Sequence, residues 1–299
     1  MDRPTLALRP VVMAAILSTP CVASAQLARD QSAHARFLAL NVVIGATAST
    51  ARAMVSGAPL RIALAKGVLG GSLMSGGMEL IGTQSRGLRF AGLQLTAVGA
   101  SVARNADARV PLLSDVTLPL YPLYVRVRPS DAAPITARVS VMSAARLVSV
   151  MTGGDRARVD WVETVATGAP VLRSSRWRLP SSSCPHPCEG AFAQHNAGVV
   201  IYSASAGTDY DLERTLAHES LHLAQQTRDA ILDAIPASDA ALARSGGPGR
   251  FVSRFFVVDA LMPLRLIDEG EARMRGANRR DSWYETEARA FAPGGEIRP

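Results

Sequence analysis

The feature that most constrains the fold is the nine-residue stretch Thr215–Leu223, which reads Thr-Leu-Ala-His-Glu-Ser-Leu-His-Leu. Its two histidines, His218 and His222, are four residues apart, and on an α-helix residues at this spacing lie on one face. Imidazole nitrogens placed in this way can bind one zinc ion at about 2.0–2.1 Å. Glu219 follows the first histidine, where a carboxylate acts as general base toward water that the metal activates. The stretch therefore predicts a helix with two zinc ligands and a catalytic base.

The residues around this motif favour a helix. The window between Asp209 and Gln226 contains no proline or glycine, and Thr208 followed by Asp211 is typical of a capping box. An apolar side is supplied by Leu212, Leu216, Leu221 and Leu223. The alternative is a buried amphipathic helix whose two histidines are satisfied by hydrogen bonds alone.

Two acidic segments downstream of the helix contain candidates for the third protein ligand that a catalytic zinc site needs. Asp268–Ala272 contains Glu269, and Trp283–Ala288 contains Glu285. Either glutamate is far enough along the chain for a second helix to pack back across the metal helix. Spacing alone therefore leaves both glutamates open.

The His-Glu-x-x-His motif together with a later helical glutamate resembles the gluzincin metallopeptidases, and the resemblance covers these segments only. Thr215–Gln226 looks most like the peptidase core domain associated with bacterial contractile injection systems. The segment that begins at Glu285 looks like the Glu-x-x-Ala element of minimal, often membrane-linked gluzincins, whose first Glu binds zinc. The resemblance implies His218, His222 and Glu285 as zinc ligands. Glu269 is the alternative, because its Glu-Gly-x-Ala segment resembles that of aminopeptidase-like gluzincins.

One position departs from the gluzincin pattern. Gluzincins commonly carry an acidic residue four positions after the ligand glutamate, where it holds a zinc-binding histidine. The residue four after Glu285 is Arg289. Outer contacts of this kind influence metal affinity by about 10–100-fold. Asp268 and Glu287 are the alternatives for this role.

Peptide hydrolysis also requires a donor for the developing oxyanion, usually a His, Tyr or Arg near the metal. The candidates by residue type are Tyr202, Tyr284 and His195. Nothing in their spacing selects one of them.

Residues 1–25 have the pattern of a secretory signal peptide. Arg3 and Arg9 precede the apolar run Val11–Leu17, and Ala23–Ala25 forms a small-x-small cleavage site. We therefore predict a secreted or periplasmic protein, with membrane association as an alternative.

Cleavage of residues 1–25 would leave Cys184 and Cys188 as the only cysteines. In an oxidising compartment two cysteines four residues apart predict a local disulfide. A second metal site that uses His186 is the alternative. A lipid anchor on Cys21 is the alternative to signal-peptide cleavage.

The formal net charge of +7 does not by itself indicate a nucleic-acid partner. The arginines are scattered along the chain, and aromatic residues, on which bases would stack, make up only 5% of it. Export disfavours nucleic acid further. Anionic lipids or cell-wall polymers are the remaining polyanions that a basic protein could attract.

Residues 26–107 predict an apolar helical region that is rich in small residues. Its uncharged runs, Phe37–Thr50 and Gly67–Met78, are shorter than the about 20 residues of a membrane span. Small-x-x-x-small patterns begin at Gly45 and Gly67 and favour close helix packing. Three alternatives stay open: a soluble helical hairpin packed on the catalytic part, a membrane-associated hairpin, and an element that docks a protein partner.

Residues 108–299 predict an α+β domain, in which the metal helix lies beside a small, mostly antiparallel sheet. Alternating apolar and polar residues predict strands at Leu118–Val127 and Ile135–Met142. Two further strands are predicted at Arg158–Thr167 and Gly198–Ser203. The last of these is expected next to the metal helix. As an edge strand it would pair with an extended substrate backbone, and as a core strand it would only support the helix.

Together these features predict a zinc-dependent peptidase that hydrolyses a peptide or protein substrate. The alternative is a non-catalytic envelope or secretion-associated protein with a structural or vestigial metal site. A structural zinc would have four protein ligands, whereas a catalytic zinc keeps one position open for water.

Overall fold

The computed structural model describes residues 31–106, 110–153, 157–175, 193–196, 198–203, 212–232, 246–257 and 283–292. Over these residues the protein is α+β, with eight helices and two small mixed sheets. The predicted signal peptide, residues 1–25, lies outside them. So do the predicted disulfide partners Cys184 and Cys188 and the alternative ligand Glu269.

The N-terminal region forms three long helices. They are α1 (Gln31–Ser56), α2 (Leu60–Gly82) and α3 (Arg86–Arg104). Among the described residues, one stretch, His34–Ser56, is long and apolar enough to cross a membrane, a property that signal sequences and core helices of soluble proteins share.

Glycines allow α2 to pack closely against both α1 and α3. A Cβ atom on Gly67 would lie 2.5 Å from the carbonyl oxygen of Gly45 on α1. On another side of α2, a Cβ on Gly70 would lie 2.5 Å from the carbonyl oxygen of Gly99 on α3. The close helix approach predicted from the patterns at Gly45 and Gly67 is confirmed, because no larger side chain fits at these contacts.

The first sheet has the strand order β1-β2-β3-β8. Its strands are β1 (Val116–Leu120), β2 (Leu123–Val127), β3 (Ile135–Ser140) and β8 (Phe256–Val257). The first three are antiparallel, and β8 runs parallel to β3. Helix α4 (Val141–Thr152) follows β3 directly and α7 (Gly247–Phe255) precedes β8. The strand predicted to reach Met142 ends at Ser140, because the Ser140 side chain accepts a hydrogen bond from the Ser143 amide and caps α4.

The second sheet has the strand order β4-β5-β7-β6. Its strands are β4 (Arg158–Val159), β5 (Val171–Ser174), β6 (Ala193–Asn196) and β7 (Val199–Ser203). Strands β5 and β7 are parallel, and the other two pairs are antiparallel. The structure thus has two mixed sheets where the sequence predicted one.

The strand predicted over Arg158–Thr167 is wrong beyond Val159. Helix α5 (Trp161–Thr167) occupies the rest, because Asp160 accepts a hydrogen bond from the Glu163 amide at 3.2 Å and caps the helix. The helix ends at Gly168, whose φ of 70° is left-handed.

The metal helix is α6 (Leu212–Leu232), and α8 (Trp283–Phe291) packs against it. One hydrophobic cluster joins both helices to the N-terminal bundle. It includes Phe37, Met78, Ile81, Leu93, Leu216, Leu221 and Phe291. The N-terminal helices therefore share a core with the metal helix, whereas the domain boundary at residue 107 stays a prediction.

The predicted strand at Gly198–Ser203 is present as β7, but it lies inside the sheet between β5 and β6. Strand β6 is the last strand of this sheet among the described residues, and it contacts α6. The edge position next to the metal helix therefore belongs to Ala193–Asn196.

Candidate metal centre

Three donor side chains converge where α6 and α8 meet. His218 and His222 project from α6, and Glu285 projects from the first turn of α8. The Nε2 atom of His218 lies 3.3 Å from Glu285 Oε2, and His222 Nε2 lies 3.5 Å from Glu285 Oε1. The two imidazole rings are nearly perpendicular, with centroids 5.0 Å apart. The structure thus places the predicted ligand Glu285 beside both histidines.

The three donor atoms are close enough to one another to bind one metal ion. One ligand atom from each of the three residues lies within 4.8 Å of the other two. Ligands about 2.0–2.1 Å from a tetrahedral zinc are about 3.3 Å from one another. The two nitrogen-to-oxygen distances, 3.3 and 3.5 Å, are near that separation, and each involves a different oxygen of Glu285. Two imidazoles and a carboxylate are also the donor set of a catalytic zinc site.

Glu285 also forms a charged cluster with the two histidines. Burial opposes protonation of His222, but hydrogen bonding to Glu285 and the negative charges of Glu285 and Glu219 outweigh it and raise the pKa of His222. Burial alone would raise the pKa of Glu285, but hydrogen bonds from His218 and His222 hold it well below its usual range. Without a metal, these contacts are hydrogen bonds between a carboxylate and imidazole groups. The same arrangement of the three side chains therefore suits both the metal-free and the metal-bound site.

Glu219 follows His218 on α6 and is 9% exposed. Its negative charge contributes to the raised pKa of His222. Glu219 is not a member of the donor group, and its role as general base stays a prediction from the sequence.

His222 is oriented by a glutamine one helical turn further on. The Nδ1 atom of His222 lies 2.8 Å from Gln225 Oε1. Gln225 Nε2 donates to the Tyr284 carbonyl at 2.9 Å and to Glu287 Oε2 at 3.0 Å. Because both partners are acceptors, they fix the orientation of the Gln225 amide, with its oxygen toward His222. Since Gln225 Oε1 only accepts, Nδ1 of His222 carries a proton. The lone pair of neutral His222 then lies on Nε2, the atom that faces Glu285.

Glu287 contributes to the site through Gln225. It was one of two alternatives for the missing acidic contact, and it is completely buried. Arg228 Nη1 donates to its two carboxylate oxygens at 2.8 and 3.1 Å, and Asn41 Nδ2 donates at 2.9 Å. The carboxylate therefore lies two hydrogen bonds from His222. The other alternative, Asp268, lies outside the described residues.

Arg228 connects this site to the N-terminal bundle. Its guanidinium donates to Asn41 Oδ1 on α1 at 2.8 Å and to Asp229 Oδ1 at 3.0 Å. Its Cζ atom lies 5.0 Å from the ring centroid of Trp283 on α8. We call Asn41, Gln225, Arg228 and Glu287 the support cluster. It ties α1, α6 and α8 together behind His222.

His218 lacks an equivalent support. Its Nδ1 atom is buried and has no hydrogen-bond partner among the described residues. Metal-binding histidines usually donate this second nitrogen to an acceptor. Within the described chain, the orienting contact is thus made to His222 alone.

The two tyrosines proposed as oxyanion donors already bind carboxylates. The Tyr202 hydroxyl donates to Asp160 Oδ2 at 2.7 Å, and burial together with Asp160 raises the pKa of Tyr202. The Tyr284 hydroxyl donates to Asp229 Oδ2 at 2.8 Å. The backbone of His195 lies in β6, but its side chain is outside the described atoms. The described residues therefore assign no oxyanion donor among these candidates.

Sequence reasoning missed three members of the support cluster. Gln225 and Arg228 lie three and six residues after His222 on the same helix, so helical spacing could have suggested Gln225. Asn41 is 187 positions from Arg228, and no local pattern pairs them.

Comparisons of the chain with protein-family models, with curated proteins and with solved structures find no match. The resemblance to gluzincins therefore depends on the motif residues alone.

Proposed function

We propose that the protein is a secreted or periplasmic zinc-dependent peptidase of gluzincin type. The observation that carries this proposal is the convergence of His218, His222 and Glu285, whose donor atoms are close enough to bind one metal ion. Among the described residues, this donor group has three members, which leaves a fourth position for water.

In the proposed mechanism, His218, His222 and Glu285 hold the metal. When bound, zinc supplies Lewis-acid polarisation of the carbonyl and activation of water. Glu219 accepts the proton of the attacking water and then delivers it to the nitrogen of the departing amine, so that one water is consumed for each bond broken. Gln225 keeps the Nδ1 proton on His222 and thereby keeps Nε2 free to bind.

Strand β6 is the proposed docking strand for the substrate. It pairs with β7 on one side only among the described residues, and it contacts the metal helix. An extended peptide added to its outer edge would form main-chain hydrogen bonds beside the metal helix. This mode of binding requires a peptide or an unfolded protein segment as substrate.

The test begins with zinc analysis of the purified full chain by elemental mass spectrometry. We expect about one zinc per chain, lost in His218→Ala. Glu219→Gln should keep the zinc and lose at least about 100-fold in turnover of a fluorogenic peptide library. Glu219 does not belong to the donor group, so this variant separates metal binding from catalysis.

Two outcomes would overturn the proposal. Folded protein that takes up no zinc would show that the histidines and Glu285 only bind one another. Zinc-loaded protein with a fourth side-chain ligand and no turnover would indicate a structural metal in a non-catalytic envelope or secretion-associated protein.

A further inference from the structure

The helix that supplies the third donor depends on other helices for its position. Helix α8 has nine residues, and an isolated helix of this length is only marginally stable in water. Its first turn holds Glu285, and its last residue, Phe291, lies against the end of α2. The approach is so close that a Cβ atom on Gly82 would overlap the Phe291 carbonyl oxygen. Packing against the N-terminal bundle therefore helps to hold Glu285 beside the two histidines.

Helix α1 of this bundle is hydrogen-bonded to α8 at two points. Near the middle of α8, Asn41 Nδ2 donates to Glu287 Oε1 at 2.9 Å. Near the end of α8, His34 Nδ1 donates to the Ala290 carbonyl oxygen at 3.1 Å, since a carbonyl oxygen only accepts. The two contacts are seven residues apart on α1, so about two turns of α1 lie along α8.

Asn41 also connects α1 to the metal ligand His222. Its side chain is completely buried and uses both polar atoms, because Nδ2 donates to Glu287 and Oδ1 accepts from Arg228 Nη1 at 2.8 Å. Glu287 Oε2 accepts from Gln225 Nε2, and Gln225 Oε1 accepts from His222 Nδ1. Three consecutive hydrogen bonds thus lead from α1 to an imidazole of the metal centre.

The buried residues of α1 recur at every fourth position and form one continuous stripe. They are Phe37, Asn41, Gly45, Ser49 and Ala53. Different parts of this stripe bind different helices. Asn41 binds α6 and α8, whereas the hydroxyl of Ser49, two turns further on, donates to the Ala103 carbonyl of α3 at 2.6 Å. The part of α1 around Asn41 is therefore the part that contacts the metal centre.

We propose that zinc binding and the docking of α1 are thermodynamically coupled, and that Asn41 is the positioning residue that links them. Loss of the Asn41 contacts frees Glu287, so that Gln225 and α8 are held less firmly and the donor atoms are less well placed. Since such coupling is reciprocal, zinc that holds His222 and Glu285 also strengthens the docking of α1. This inference rests on the metal site of the proposed function but does not require peptidase activity. Of the roles open for the N-terminal region, it favours packing on the catalytic part.

The first measurement is the zinc affinity of the full chain, by competition with a chromophoric chelator. Asn41→Leu keeps the approximate size of the side chain and removes its polar contacts with α6 and α8. We expect this variant to lower zinc affinity by at least about fivefold. His34→Ala removes the contact near the end of α8 and should lower zinc affinity as well.

The matched control is Ser49→Ala. Ser49 is completely buried on α1 like Asn41, but its hydroxyl binds the backbone of α3. Removal of this hydrogen bond should lower the stability of the metal-free protein in urea unfolding and leave zinc affinity within about twofold of the wild type. A merely structural role of Asn41 would give this same result for Asn41→Leu.

Hydrogen exchange of the wild-type chain is the second measurement, and it decides alone if Asn41→Leu does not fold. Zinc should slow exchange of the amides of Phe37–Ser49 by at least about fivefold more than it slows those of α4. Equal protection of both helices overturns the coupling, and so does the same zinc affinity in Asn41→Leu as in Ser49→Ala. In both cases the wild type still binds zinc, and the proposed function stands. A folded wild type that binds no zinc overturns both proposals.

Discussion

The substitution Gln225→Met is expected to weaken zinc binding without removing a zinc ligand. Gln225 is 1% exposed, and its Oε1 is 2.8 Å from His222 Nδ1. Methionine has a similar length but leaves the Nδ1 proton without an acceptor, in a place where water cannot replace it. An unsatisfied buried donor costs about 1–3 kcal/mol. Removal of an outer contact of a metal-binding histidine lowers affinity by about 10–100-fold, or about 1.4–2.7 kcal/mol. The cost of the unsatisfied donor and the expected loss of zinc affinity therefore agree in size.

The assay is competition for zinc between the protein and a chromophoric chelator at neutral pH. The matched control is Gln226→Met, because Gln226 is the next residue on α6, is 2% exposed, and its Oε1 has no hydrogen-bond partner among the described residues. We expect Gln226→Met to bind zinc like the wild type. Zinc affinity of Gln225→Met within about twofold of both proteins would refute the assigned role of Gln225.

Three further predictions concern stability. Glu287→Leu leaves the buried charge of Arg228 without its main partner and should cost about 3–5 kcal/mol, whereas the double variant with Arg228→Met should recover most of this loss in urea unfolding. Equal losses in both would contradict the argument. Gly77→Ala should destabilise by about 1–3 kcal/mol, because its Cβ would lie 2.5 Å from a carbonyl oxygen of α3. A Cβ on its neighbour Gly76 would lie no closer than 3.8 Å to any described atom outside its own helix, so Gly76→Ala should stabilise by about 0.5–1 kcal/mol in the same thermal scan, and the opposite order would refute the packing. Burial alone would raise the pKa of Asp115, but its arginine partners lower it from 3.8 to about 2. The ionised carboxylate therefore adds about 2 kcal/mol to the free energy of unfolding above pH 3.8, and this contribution is lost as the pH falls toward 2. Asp115→Asn should flatten this part of the stability profile, and an unchanged slope would contradict it.

Local sequence predicted those elements whose signal lies within a few residues. The spacing of His218 and His222 places both on one helix face wherever the helix lies, since it depends only on 3.6 residues per turn. The small residues at Gly45 and Gly67 predicted a close helix contact for a similar reason. Asp160 shows that such a signal can be overlooked. Its capping of α5 was readable from Asp followed three residues later by Glu163, yet the alternation of apolar residues favoured a strand.

The sequence by itself thus determined an α+β protein with a helix that presents two imidazoles and a carboxylate. Only the tertiary structure decided which chain segments meet that helix. Glu285 lies beside His222 because α8 packs across α6, and Asn41 binds Arg228 because the glycines of α2 draw α1 into the same core. Such contacts join residues far apart in sequence, so no periodicity encodes them. They follow from burial of apolar helix faces and from the need to pair every buried charge.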